Sequence, residues 1–456
     1  MAAPDSTAAV IARLGTGIAS SAELEQAANL SQTAMSRLLR DLIRERRALR
    51  IGSRRGARYA LRREVRDTGS TWPLHRVDRS GALIPLGQLH ALAADQYYFE
   101  PSPEAEASGF AWAGVTTGLP YFLQDQRPGG FLGRAVPRRY PELALPQRVI
   151  DWSDEHYLRY LTARGSDTVG DLILGAEALD YYLAQQRERQ VVPQQARASQ
   201  YPGFAREVME GGLPGSSAQG EHPKFTTLVQ LEAGAHEVLV KFSPPIDSDV
   251  GQRWSDLLVA EHLSLEVLRT AGIDTPRSQV LEAGGRQFLE VTRFDRHGAQ
   301  GRIGVSSLLA IDMNLYGQLD NWIAAATRLH RDGRIDEATL ETVRFLATFG
   351  ALIANTDRHF GNLAFLDRYD GRFAIAPVYD MLPMLFAPQN EQLTERAFVP
   401  PSPTSDTLRS WSPARAAAED YWRHVSRDPR ISSSFRSIAD SCAQSLMSLP
   451  RTGAYA

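Results

Sequence analysis

The chain has 456 residues and a formal net charge of −3, with hydrophobic and charged fractions ordinary for a soluble globular protein. That length allows two or three domains with sizeable cores. The single cysteine, Cys442, excludes an internal disulfide and any cysteine-rich zinc site. No basic stretch followed by an apolar run opens the chain, and the longest apolar run, 345–354, is too short to span a bilayer. A cytoplasmic protein without membrane contact is therefore expected.

Charge and lysine usage are both uneven. Residues 1–66 carry thirteen arginines and six acids, a balance of +7, which leaves −10 for the remainder. A basic head on an acidic body suggests that the head alone meets a polyanion. Only two lysines occur, Lys224 and Lys241, among dozens of arginines. Lysine is a compact point charge where arginine is a wide fork, so a tight phosphate pocket can accept one and reject the other.

In chain order, 21–28 reads as a short helix with Ser21 at its cap, and Ser31 opens a second helix after the turn Asn29-Leu30. Met35, Leu38, Leu39, Leu42 and Ile43 form its apolar stripe. Its other face carries Gln32, Thr33, Ser36, Arg37 and Arg40, short polar groups and then arginines, which suit base edges and then phosphates. Residues 50–52 and 58–61, joined by a turn containing Arg54 and Arg55, read as a hairpin wing. The segment resembles the winged helix-turn-helix domains of bacterial regulators, and DNA is its expected partner. A small helical domain using arginines only for solubility fits the same pattern.

Residues 67–200 are uninformative alone. They hold β-like stretches at 82–86 and 110–115 and a helix at 176–187. A glycine-rich loop follows at 210–224, containing Ser217, Gln219, Gly220, Glu221, His222, Pro223 and Lys224. Its glycines let backbone N–H groups approach phosphates. It is not a Walker A loop, since Glu221 stands where lysine is required. Strands are expected at 226–231 and 237–242, the second ending in Lys241, then a helix over about 254–269 carrying Glu261. Lysine on a strand and glutamate on the next helix is the ion pair that holds ATP phosphates in protein kinases. A further strand at 287–296, with Thr292, Arg293 and Phe294, falls where an interlobe hinge would read adenine with its backbone.

The densest constellation is Asn355-Thr356-Asp357-Arg358-His359-Phe360-Gly361-Asn362. Asp357 and Asn362 have the D-x-x-x-x-N spacing of kinase catalytic loops, aspartate as base and asparagine on magnesium. After a short strand at 373–376 come Tyr379 and Asp380, the latter a candidate second metal ligand, since magnesium prefers hard carboxylate oxygen. Each residue taken singly also suits a turn or a helix cap. His359 either lines the nucleotide pocket or only packs the loop.

The set 217–224, Val240-Lys241, 292–296, 355–362 and 378–380 resembles the HipA family of bacterial serine/threonine kinase toxins, over roughly residues 75–440. More closely the chain looks like the YjjJ-type (HipH) branch, in which a helix-turn-helix precedes the kinase body. The resemblance implies an α+β, bilobal protein-kinase-like fold, with a winged head over 1–66, an N-lobe with a family-specific subdomain over 67–296 and a mostly helical C-lobe over 297–456. It implies ATP and Mg2+ as cofactors, Asp357 as base, and Asn362 and Asp380 as metal ligands. Lys241 would hold the ATP phosphates, 219–224 would form the phosphate-facing loop, 292–294 would lie at the adenine, and His359 to Gly361 and Tyr379 would lie beside the nucleotide. It further implies autophosphorylation of Ser217, growth arrest, a protein substrate of the aminoacyl-tRNA synthetase class and an antitoxin partner. The loop departs from the founding toxin at His222-Pro223. Two other classes stay open: a DNA-binding regulator whose kinase-like body senses nucleotide, and a metal-dependent nuclease using Asp357, His359 and Asp380.

Overall fold

The computed structural model describes residues 6–52, 56–107, 110, 112, 114–210, 222–232, 234–390 and 392–450. Its head has three helices, Ser6–Gly15, Ser21–Ala28 and Gln32–Arg44. Three short antiparallel strands accompany them, with Arg58–Leu61 between Ala19–Ser20 and Ala48–Ile51. Val10, Leu14, Leu24, Met35, Leu39 and Leu42 make its core, while Leu38 and Ile43 of the expected stripe are only partly buried. The first helix was not expected, because its alanine-rich sequence offers only two deeply buried side chains, Val10 and Leu14. The cap of the second helix is Ser20 rather than Ser21. Ser20 Oγ accepts from the Glu23 N–H, and the Glu23 carboxylate accepts from the Ser20 N–H at 2.6 Å, a reciprocal capping box. Ser31 caps the third helix.

The head is joined to the body by backbone pairing. Arg63 N–H donates to Ala91 O, Ala93 N–H donates to Leu61 O, and the Arg63 guanidinium reaches Tyr97 Oη at 2.8 Å. The strands that receive it belong to a five-stranded antiparallel sheet ordered Gly114–Thr117, Gln96–Pro101, Leu83–Ala91, Thr71–Val77, Leu172–Leu174. The β-like stretch at 82–86 lies largely in the third of these. Of the stretch at 110–115 only its end is strand, with 111 and 113 outside the described residues. The helix expected at 176–187 is Ala176–Glu188.

A second five-stranded sheet is ordered Ser278–Ala283, Arg286–Thr292, Gly234–Phe242, Lys224–Leu231, Val191–Pro193, antiparallel except for the last pair. Tyr201 of helix Arg197–Met209 packs with Phe225, Phe242 and Phe288 on this sheet. Helix Asp249–Thr270 packs on it with Leu257 to Leu265 buried, and it starts earlier than expected because Ser248 caps it. The strand expected to reach Arg296 ends at Thr292, and Arg296 instead enters a buried ion cluster with Asp295, Asp167 and Glu237.

The rest is mostly helical, with Leu308–Leu315, Trp322–Arg331, Glu337–Leu352, Leu408–Arg427 and Ser433–Met447 around a three-stranded sheet, Val305–Ser307, Ala364–Asp367, Phe373–Ile375. The apolar run 345–354 is the end of Glu337–Leu352, held where the Trp422 indole N–H donates to Leu352 O at 3.0 Å. Among the described residues no helix is long and apolar enough to cross a membrane.

Candidate phosphoryl-transfer site

The strand carrying Lys224 begins two residues earlier than expected, so Lys224 is a strand residue rather than the close of a loop. In the register of the hairpin Lys224 is paired directly with Lys241. Directly opposed residues share a face, and like charges there repel. Both are nonetheless buried, at 2% and 6% exposure. The repulsion is offset by carboxylates from two other elements. Lys241 Nζ donates to Glu261 Oε1 and Oε2 at 2.6 and 2.7 Å, and to Asp380 Oδ1. Burial works against the Lys241 ammonium, but Asp380 and Glu261 outweigh it and raise its pKa. Burial raises the Asp380 carboxyl, yet the two lysines bring it below its ordinary value. An ionised carboxylate is the form a cation needs.

The His222 ring packs at a tilt against Trp254, 4.6 Å between centroids, and its pKa is pushed down to about 3 by burial and then by Lys241 and Lys224. The ring is a neutral imidazole beside two ammonium groups. Pro223 contributes its carbonyl, accepting from Phe242 N–H at 3.1 Å. Ser217, Gln219, Gly220 and Glu221 lie outside the described residues.

Asp357 and Asn362 meet across the turn between them. Asn362 Nδ2 donates to Asp357 O at 2.8 Å and to Asp357 Oδ2 at 3.2 Å, which leaves Asn362 Oδ1 as an acceptor. Asn355 ties this loop to the lysine cluster: its Oδ1 accepts from Asp357 N–H at 2.9 Å, and its Nδ2 donates to Asp380 O at 3.3 Å. Asp380 has φ of +53°, a left-handed conformation unusual for a residue with a side chain, held by the segments on either side. Gly350 lets Arg358 lie beneath the loop, since a Cβ there would meet Arg358 Cδ at 2.7 Å. Sequence reading quoted Asn355 in the motif without giving it a role, and missed Gly350. The available signal was a polar residue adjoining an apolar run, and Asn355 is in fact 1% exposed.

The remaining expected residues divide. His359 accepts from Gly361 N–H at 3.0 Å and its carbonyl accepts from the Trp322 indole, so it shapes the loop while its ring is largely exposed. Phe360 is buried. Tyr379 Oη donates to Gly361 O at 2.8 Å, and its ring stacks on Phe294 at 5.6 Å beside Val305, Ala364 and Ala376, an apolar patch suited to a base. Thr292 and Arg293 spend their N–H groups on Arg277 O and Glu237 O. The Arg293 guanidinium turns to Asp295 at 2.8 Å and to Asp167, because buried carboxylates outcompete a neutral ligand for it, so the side chain is not directed at the site.

A cavity of about 650 Å3 opens beside this loop, lined by Asp357, His359, Trp322, Asp320, Ser402 and Asp406 among others. The oxygen donors present suit magnesium, which takes one or two carboxylates and completes its shell with phosphate and water. Asp380 and the Oδ1 of Asn362 would hold it. Among the described residues no three His, Cys, Asp or Glu side chains form a ligand group, so Asp357, His359 and Asp380 are not assembled as one metal set.

In the head, Gln32, Thr33, Ser36, Arg37 and Arg40 are all exposed along one face of Gln32–Arg44. Arg54 and Arg55 lie outside the described residues.

The family description "YjjJ-like toxin, middle domain" matches residues 68–183, and "HipA-like C-terminal domain" matches 216–447. Toxin YjjJ of Escherichia coli (strain K12) is 35% identical over 426 residues, covering 93% of this chain and 94% of its own. HipA of Shewanella oneidensis MR-1, solved with HipB and operator DNA, shares the fold with a TM-score of 0.51 at 14% identity, over 82% of this chain and 96% of that one. The Helicobacter pylori proinflammatory kinase CtkA aligns over 49% of this chain and 90% of its own at 14% identity, with a TM-score of 0.35, too distant to carry an argument.

Proposed function

We propose, since the chain belongs to the YjjJ-like toxins with a HipA-like C-terminal domain, that it is a Mg-ATP-dependent protein serine/threonine kinase whose own head binds DNA. The observation that carries this reading is the Lys241 ammonium held between Glu261 and Asp380, with Asp380 bonded through Asn355 to the loop of Asp357 and Asn362. Bound Mg-ATP would supply the phosphoryl group and a divalent cation to neutralise its charge. Asp357 takes the proton of the acceptor hydroxyl. Lys241 and Lys224 neutralise phosphate oxygens, Glu261 keeps Lys241 in place, and Phe294 with Tyr379 covers the base. Asn362 both supplies a ligand oxygen and orients Asp357.

By the same kinship we propose a protein acceptor of the aminoacyl-tRNA synthetase class, autophosphorylation of Ser217, growth arrest through phosphorylation, and an antitoxin partner. The exposed polar and arginine face of Gln32–Arg44 supports duplex contact by the head. The test is purified protein with Mg-ATP, phosphosite mapping, and Asp357→Asn as control. Phosphate that disappears in the variant is expected. Absence of nucleotide binding together with metal-dependent DNA cleavage would replace this reading with a nuclease.

A further inference from the structure

One wall of the 650 Å3 cavity is a strap with its own hydroxyls. Residues 393–404 form neither helix nor strand and lead into helix Leu408–Arg427. Ser402 stands among Pro400, Pro401 and Pro403. Proline fixes its own φ and biases the preceding residue toward an extended conformation, so Ser402 is presented on a stiff, extended chain. Both flanks are anchored. Phe398 packs on Trp422 at 6.2 Å, and Thr404 N–H donates to Thr407 Oγ1 at 2.8 Å in the turn that starts the helix.

The hydroxyls differ in availability. Those of Thr404 and Thr407 are bonded to each other at 3.1 Å. Ser402 is exposed, lines the same cavity as Asp357, and makes no side-chain hydrogen bond among the described residues. An extended serine in the same cavity as the proposed base is the arrangement an acceptor peptide must reach.

We propose that Ser402 is a phosphoacceptor in cis, and that phosphate on it lifts the strap from the cavity; this rests on the kinase reading of the same site. Ser402 Oγ attacks the γ-phosphorus of ATP. The Oγ–P bond forms as the bond from that phosphorus to the β,γ-bridging oxygen breaks, ADP leaves, and the hydroxyl proton passes to Asp357. The product is a dianion among carboxylates. Asp357 and Asp406 have no arginine partner among the described residues, Asp320 is already held by Arg328 at 2.6 Å, and Arg358 is turned inward to Asn355 O. Repulsion then favours release, so the strap reacts once and leaves the cavity open to another chain's acceptor.

The test uses the full chain with Mg-ATP. Trypsin cutting after Arg396 and Arg409 releases peptide 397–409. Phosphate is expected on Ser402 in the wild type and in Ser217→Ala, and none on this peptide in Asp357→Asn. The first-order rate should not change when the protein is diluted. Phosphate on Ser217 or on an added protein, with 397–409 unmodified, overturns the proposal and leaves the kinase reading intact. A rate that rises with protein concentration overturns the cis step, and no phosphate anywhere overturns both. Independently of nucleotide, Ser402→Glu should speed amide exchange in 397–408. Unchanged exchange overturns the release.

Discussion

Replacing Lys241 with methionine removes a cation bonded to both Glu261 and Asp380 while keeping the length of the side chain. Glu261 is 1% exposed, so its charge has no route to bulk water. Breaking a buried pair by removing one partner costs about 3–5 kcal/mol, because the other charge is left uncompensated. Lys224 sits directly across the hairpin and supplies part of the missing field, which places the expected loss near the lower end, about 3 kcal/mol. Adding Glu261→Gln removes the stranded charge and should recover most of that loss, giving a coupling energy of about 1–3 kcal/mol. Urea unfolding followed by tryptophan fluorescence measures it, since Trp254 packs against His222 beside the pair. Neither variant should transfer phosphate. A single variant within about 0.5 kcal/mol of wild type, the range of an ordinary surface change, would refute the buried triad.

Three further outcomes follow from named contacts. Asp171 is buried beneath the Tyr369 hydroxyl, which donates to it at 2.6 Å, and burial raises its carboxyl from 3.8 to about 7. The folded state then holds a proton the unfolded state has lost, so stability should fall as pH rises from about 4 to 7 and level off above it. Asp171→Asn should flatten that part of the profile in pH-dependent denaturation, and an unchanged slope would contradict the assignment. Asn355→Ala should destabilise the chain by about 1–3 kcal/mol by removing a buried amide that bonds both Asp357 N–H and Asp380 O, and should slow transfer more than it weakens ATP binding, read as a kcat-against-KM split. Arg37→Ala with Arg40→Ala should lower the salt slope of duplex binding by about 0.9 per arginine, measured by fluorescence anisotropy across salt concentrations.

What was legible in the sequence was chemistry carried by short spacing. Asp357 and Asn362 are five apart and meet in one turn, and Lys241 and Glu261 lie on consecutive elements that must pack together. Long-range register was not legible. That Lys224 faces Lys241 depends on the length of the hairpin loop, and a shift by one residue would have turned one lysine to the other face. Arg293 was misplaced because the β-like pattern of 287–292 was extended to 296, whereas the Arg-Phe-Asp-Arg run leaves the sheet to satisfy Asp167 and Glu237 from distant segments. The docking of the head was hidden for a related reason. Arg62 and Arg63 count among the thirteen arginines of the basic head, yet their backbone continues into pairing with residues 91–93. Asn355 carries no periodic signal, and only the fold shows that one buried amide joins the two halves of the site.

The central claim is that Asp357 serves a phosphoryl transfer organised by Lys241, Glu261 and Asp380. It is tested most directly by single-turnover transfer from labelled ATP, comparing wild type with Asp357→Asn at saturating nucleotide. The account predicts a fall of about 10²–10⁴-fold in the rate of transfer, with ATP affinity unchanged, since Asp357 touches none of the groups that hold the lysines. Equal rates in the two proteins would contradict it.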